Sequence, residues 1–153
     1  MNVLASGVAA KQLVGPIASL AERARESHEW VVVYTNDAHQ LNDVELRVFP
    51  PHALSGTPGA AVVAELRPCA DDMVVEKRFY SGFTGTDLGS RLHSQDVGRL
   101  VLVGQHTDCC RHTAYDAFRR RLRTHRLPRR YNGVRAGLGR TRGHFAKHGP
   151  SST

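Results

Sequence analysis

Among its 153 residues the chain has only three cysteines, one tryptophan and no long apolar run. No stretch approaches the ~18 apolar residues that a membrane-spanning helix needs, so no membrane span is expected. Met1-Asn2-Val3-Leu4-Ala5-Ser6-Gly7 carries no basic residue, and Lys11 interrupts the weakly apolar start, so no secretory signal is expected. Cys69, Cys109 and Cys110, the last two adjacent, do not make a disulfide framework, and a reducing cytoplasm fits them. Acids are missing from the end of the chain. Residues 1–118 hold 10 Lys/Arg and all 14 Asp/Glu, a net −4, whereas residues 119–153 hold 11 Lys/Arg and no acid, a net +11. The overall +7 therefore hides a mildly acidic globular sequence followed by a basic tail.

A chain of this length suits one domain with a real core. Pro16 to Ser27 reads as a helix, with Ile17, Leu20, Ala21 and Ala24 on one face. Trp30-Val31-Val32-Val33-Tyr34-Thr35 reads as a buried parallel strand that delivers Asn36-Asp37-Ala38-His39 at its carboxyl end. Residues 40–59 read as a loop and Ala60 to Leu66 as a short helix. A second strand, Asp72 to Lys77, is followed by a loop over 79–86 and a helix from Asp87 to His93. Arg99-Leu100-Val101-Leu102-Val103 is a third strand. It leads through Gly104 and His106 to Cys109-Cys110 and a helix rich in alanine. This β–α alternation predicts a parallel sheet with helices on both faces.

In such a sheet the carboxyl ends of the strands share one edge, where ligands bind. Asp37/His39, Lys77 and Cys109/Cys110 are the polar groups at those ends. A lysine beside a thiol, and a helix N-terminus under it, both favour the nucleophilic thiolate. Asp37, His39 and His52 offer oxygen and nitrogen ligands of the kind divalent metals accept. The alternatives are a solvated lysine, buried cysteines and a polar loop.

Five segments in series carry a resemblance: Asp37-Ala38-His39, Asp43-Val44-Glu45, Pro51-His52-Ala53 through Ala60, Glu76-Lys77-Arg78-Phe79-Tyr80-Ser81-Gly82-Phe83, and Gly104-Gln105-His106-Thr107-Asp108 through Thr113-Ala114. Together they resemble the isochorismatase-like cysteine hydrolases, and within them the nicotinamidases, from about Lys11 to Phe118. The resemblance implies an α/β fold of three layers, α/β/α, around a mostly parallel, Rossmann-like sheet. It implies a cysteine that attacks an amide carbonyl to form a thioester, with Lys77 as the family lysine, so that nicotinamide yields nicotinate and ammonia, the chemistry of NAD salvage. Counting from the strand makes Cys110 the nucleophile, and counting back from the helix makes it Cys109; the strand count is preferred. A cis peptide around Gln105-His106 is implied. Asp37, His39 and His52 match the family's metal ligands for zinc, manganese or iron, with Glu45 where many nicotinamidases have a further histidine. Phe49 and Tyr80 fall where family aromatics flank the ring of the substrate. A small-molecule amide substrate and a homo-oligomer are implied as partners.

The chain departs from the family in three places. The family begins with a strand that supplies the catalytic aspartate, and here no aspartate precedes Asp37. The spacing from Thr107 to Thr113 is one residue short. The resemblance ends at Phe118. This divides the chain into a hydrolase domain, 1–118, lacking a first strand and its general base, and an irregular basic tail, 119–153. One permitted set of codons for residues 119–130, read one base later, gives a strand of family type, so the tail is expected to be out of frame. The competing readings are an inactive fragment and a tail that contacts nucleic acid without sequence preference, through its charge and through Tyr131 and Phe145.

Overall fold

A computed structural model describes residues 8–27 and 29–126. The expectations placed on 127–153, including nucleic-acid contacts by Tyr131 and Phe145, lie outside the described residues. Helix α1 spans Val8–Glu26. It begins well before the expected Pro16 because Leu13, Val14, Ile17 and Leu20 continue one apolar stripe. Pro16 sits inside the helix and costs it one backbone hydrogen bond. Strand β1, Val33–Asp37, pairs in parallel with β2, Met73–Lys77, in the register Val33↔Met73 to Asp37↔Lys77. The expected helix from Ala60 reduces to a 3-10 turn at Ala64–Leu66, between Pro58 and Pro68, which leave little room for an uninterrupted helix.

Helix α2, Leu88–Ser94, buries Leu88 and Leu92. Strand β3 is Arg99–Leu102, and α3, Thr107–Arg119, follows it. The expected break after Phe118 lies later. Helix α3 runs on to Arg119, Arg121 makes a turn at φ 61°, and β4, Arg123–Arg126, pairs in parallel with β3. No apolar pattern announces β4, because its strand geometry comes from the backbone edge of β3 and not from its own side chains.

Val75, Phe83, Leu88, Leu92 and Ala117 form the buried core, with Val33, Met73, Val97, Leu100 and Leu122 packed against it. Helices α2 and α3 therefore cover one face of the strands. Tyr34 points to the opposite face, since side chains alternate along a strand. There its hydroxyl accepts a hydrogen bond from Arg25 of α1 at 3.0 Å, and Arg25 also grips Asp72 at 2.6 Å. Helices thus lie on both faces, as the three-layer expectation requires. Among the described residues the strands form two separate parallel pairs, β1-β2 and β3-β4.

Candidate active site

The site lies at the carboxyl ends of β1 and β2 and at the start of α3. The parallel register sets Lys77 opposite Asp37. Lys77 is buried, at 4% exposure, and its ammonium donates to an Asp37 carboxylate oxygen and to the Phe79 carbonyl at 3.1 Å. The same Nζ lies 3.9 Å from Cys109 Sγ. Asp37, Lys77 and Cys109 are thus brought together, with the cation in the middle.

The strand count makes Cys110 the expected nucleophile, but the thiol set beside Lys77 is that of Cys109. Both cysteines lie in the first turn of α3, where neighbouring residues point about 100° apart. Cys109 faces Lys77, whereas Cys110 Sγ lies beneath Gly104, 3.4 Å from where a Cβ would stand on that glycine. Gly104 takes φ 158°, and no cis peptide bond occurs among the described residues, so the expected one around Gln105-His106 is absent. The chain turns at Gly104, where no side chain intervenes between the turn and Cys110.

The expectation of a lowered thiol pKa is also corrected. Burial pushes the Cys109 thiol above its ordinary value. Lys77 pulls in the other direction but does not prevail, and the Asp37 charge reinforces the rise. The ammonium that should hold a thiolate is already engaged by a carboxylate.

Beside this trio, His39 and His52 are brought together by the backbone. His39 N–H donates to the Ala53 carbonyl and Ser55 N–H to the His39 carbonyl, each at 2.9 Å, an isolated parallel bridge from His39 to Leu54. The rings of His39 and His52 meet edge to face at 4.9 Å. Glu45 approaches both: its carboxylate is 4.0 Å from His39 Nε2 and 3.8 Å from His52 Nε2. One donor atom from each of the three lies within 4.8 Å of the others, a set that could close on one ion. Two imidazoles and a carboxylate suit zinc, manganese or iron. Asp37, expected as a ligand, is turned to Lys77, and Glu45 completes the cluster.

His39 is held from behind. Asp43 accepts from Arg78, from the Gln40 N–H at 2.9 Å, and lies 3.3 Å from His39 Nδ1. The Arg78 guanidinium holds the Asp43 carboxyl well below the usual carboxylate range, against the effect of burial. The sequence reading did not single out this clamp. Its signal was the i, i+4 spacing of His39 and Asp43 and the arginine next to the strand-end lysine.

Phe49 and Tyr80, both partly exposed, line the cleft over these groups. Phe49 meets His52 edge to face at 6.5 Å between centroids, and Tyr80 meets His112 at 5.4 Å. The Glu45 charge raises the Tyr80 phenol above its ordinary pKa.

The family profile described as "Isochorismatase domain" matches residues 2–126. An uncharacterized isochorismatase family protein of Bacillus subtilis (strain 168) is 38% identical over 103 residues, 60% of this chain and 56% of that protein. The nicotinamidase/pyrazinamidase of Mycobacterium tuberculosis is 38% identical over 102 residues, 58% of this chain and 53% of its own length. The chain therefore spans about half the length of these curated relatives. Among solved structures, N-carbamoylsarcosine amidase from Thermoplasma acidophilum superposes with a TM-score of 0.76 at 40% identity, covering 79% of this chain and 70% of that one.

Proposed function

We propose, from the premise that this chain belongs to the isochorismatase family, that its site hydrolyses a small carboxamide through a cysteine thioester, with nicotinamide the first candidate substrate. The observation that carries this reading is Lys77, buried between Asp37 and the Cys109 thiol. In the first step the Cys109 sulfur forms a bond to the amide carbonyl carbon. The C–N bond then breaks, and the nitrogen leaves as ammonia with the thiol's proton. Water next adds to the thioester carbonyl and the C–S bond breaks, which releases the acid and returns the proton to sulfur. Atoms balance as amide plus water to acid plus ammonia.

Lys77 stabilises the developing sulfur anion, and Asp37 keeps the ammonium aimed at it. The raised thiol pKa leaves little thiolate at neutral pH, so the reaction is slow there and quickens as pH rises. The hydrogen-bonding partner of Cys109 is a cation, not a base, and this also limits the rate. Phe49 and Tyr80 supply apolar surface against which a flat ring can lie. His39, Glu45 and His52 are the residues that would hold a divalent ion, which when bound would polarise or orient a polar group of the substrate. Two relatives act, by name, on nicotinamide or pyrazinamide and on N-carbamoylsarcosine, so the amide's side group is the open variable.

The test is ammonia release by the purified chain from nicotinamide, pyrazinamide and N-carbamoylsarcosine at pH 7–9. Release is expected from wild type and from Cys110→Ala, and its loss is expected in Cys109→Ala. Equal release from Cys109→Ala and wild type would overturn the reading.

A further inference from the structure

Only one of the two adjacent thiols has a part in the hydrolysis proposed above. Cys110 follows Cys109 in the first turn of α3, and both residues line the same cavity. Cys109 Sγ lies 3.9 Å from Lys77 Nζ. Cys110 Sγ lies under Gly104, where a Cβ would stand only 3.4 Å from it. The glycine therefore leaves that sulfur uncovered by any side chain of the turn. The cavity holds about 1620 Å³, above the roughly 300–1,000 Å³ of ordinary small-molecule pockets, so a ring-sized group fits beside the thiols. Phe49 and Tyr80 give that space an aromatic wall. Cys69, by contrast, is exposed ahead of β2 and has no second cysteine beside it in the sequence.

Neighbouring thiols select a ligand by geometry. Consecutive Cα atoms stand about 3.80 Å apart across a trans peptide, whereas a disulfide usually spans about 4.4–6.8 Å between its Cα atoms. Closing an S–S bond between Cys109 and Cys110 would therefore distort α3. One atom inserted between the sulfurs relaxes that demand, and rotation about the two Cα–Cβ bonds brings both sulfurs to it. The inserted atom must be soft, as sulfur ligands prefer. It must also accept thiols that still carry their protons, since burial holds Cys109 in its neutral form. A divalent ion such as zinc needs the thiolate and has to displace protons. Zinc also has a better set of donors nearby in His39, Glu45 and His52. Trivalent arsenic needs no thiolate, because its oxygen takes the thiol protons away as water.

We propose that Cys109 and Cys110 form a dithiol site for trivalent arsenicals that carry one aromatic group. With phenylarsine oxide, two As–S bonds form and both bonds from arsenic to oxygen break. The oxygen leaves with the two thiol protons as one water. Arsenic stays trivalent, so neither oxidant nor reductant is required. The aryl ring remains in the cavity that Phe49 and Tyr80 line. The second As–S bond is made within one molecule, so the chelate should outlast a one-thiol adduct by about 10²–10⁴ in affinity. The bridge occupies the sulfur that faces Lys77, and a loaded chain then has no thiol there for attack on an amide.

The full chain is incubated with one equivalent of phenylarsine oxide, challenged with glutathione and read by intact mass. The expected result is one phenylarsenic per chain with two hydrogens lost, kept against glutathione and released by the dithiol 2,3-dimercaptopropanol. Iodoacetamide should then alkylate Cys69 and spare both Cys109 and Cys110, as peptide-resolved mass spectrometry reads. This arm uses the unaltered chain and needs no variant to fold. Cys109→Ala and Cys110→Ala should each give up the adduct at about a hundredfold less glutathione, and Cys69→Ala should keep it. In denaturing urea, where the ring loses its burial, the adduct should yield to about tenfold less glutathione. Protection of only one of the pair, or equal retention by either of their single variants or in urea, would overturn the proposal. So would an adduct that glutathione strips from the folded wild type as readily as from the variants. None of these readouts needs amide hydrolysis, so the dithiol site and the activity stand or fall separately.

Discussion

Replacing Lys77 by methionine removes the charge next to Cys109 while keeping most of the side chain's volume. The 3.9 Å between Nζ and Sγ sets the size of the effect. At that distance a unit charge pair is worth about 1 kcal/mol in water and about 4 kcal/mol at the effective dielectric of a protein surface. At about 1.4 kcal/mol per pKa unit, Lys77→Met raises the Cys109 pKa further by roughly 0.7 to 3 units. The thiolate fraction at fixed pH then falls about fivefold to a thousandfold. Each remaining thiolate is more nucleophilic as its pKa rises, which returns about half of the logarithm. Iodoacetamide should therefore alkylate Cys109 roughly two- to fiftyfold more slowly in Lys77→Met at pH 8. Asp37→Asn should do the opposite, because the Asp37 charge raises the thiol pKa. The assay is peptide-resolved mass spectrometry, with the exposed Cys69 as internal reference. A cooperative thermal transition in each variant guards against unfolding, which would speed alkylation. An unchanged or faster rate in folded Lys77→Met would refute the electrostatic role given to this lysine.

Asp43 keeps its charge at lower pH when folded, so its pair with Arg78 supports the fold above about pH 4 and loses that support as pH falls further. Asp43→Asn should accordingly melt below wild type at pH 7, with the gap closing under acid conditions, as followed by circular dichroism. Glu45→Gln should weaken zinc binding in competition with a chromophoric chelator, and an unchanged affinity would remove Glu45 from the cluster. Leu88→Ala opens a cavity in the core and should cost about 2–5 kcal/mol in urea unfolding. Gly82→Ala places a Cβ 2.8 Å from Thr35 Cγ2 and should destabilise by about 1–3 kcal/mol by the same measurement, as crowding in a packed site does.

The parts of the fold that were legible in the sequence are those whose side chains specify their own element. The apolar runs that become β1, β2 and β3, bounded by polar segments, fall within a few residues of their observed positions. Where pairing decides, the reading slips. The apolar run began at Trp30, but the ladder starts only where Met73 N–H reaches the Val32 carbonyl, so β1 is Val33–Asp37. Strand β4 has no signal of its own, since Arg, Thr, His and Arg become a strand only beside β3. At the site, the lysine and the histidines were visible as strand-end chemistry. Which thiol meets Lys77 depends on helical phase within α3, and that phase is fixed by where the helix starts. Asp37 fitted a metal-ligand pattern by type, but the cross-strand register hands it to Lys77.

Strand β4 has a bearing on the chain's behaviour at high concentration. Among the described residues it lies last in its pair, and its sequence, Arg123-Thr124-His125-Arg126, brings two arginines to what would otherwise be a sticky margin. Like charges along such a margin repel a second molecule that approaches to extend the sheet. The protection is electrostatic, so added salt shortens its reach to the order of 3 Å at 1 M. Concentrated stocks should therefore stay clear in dilute buffer and cloud when salted, a practical guide for anyone preparing this protein.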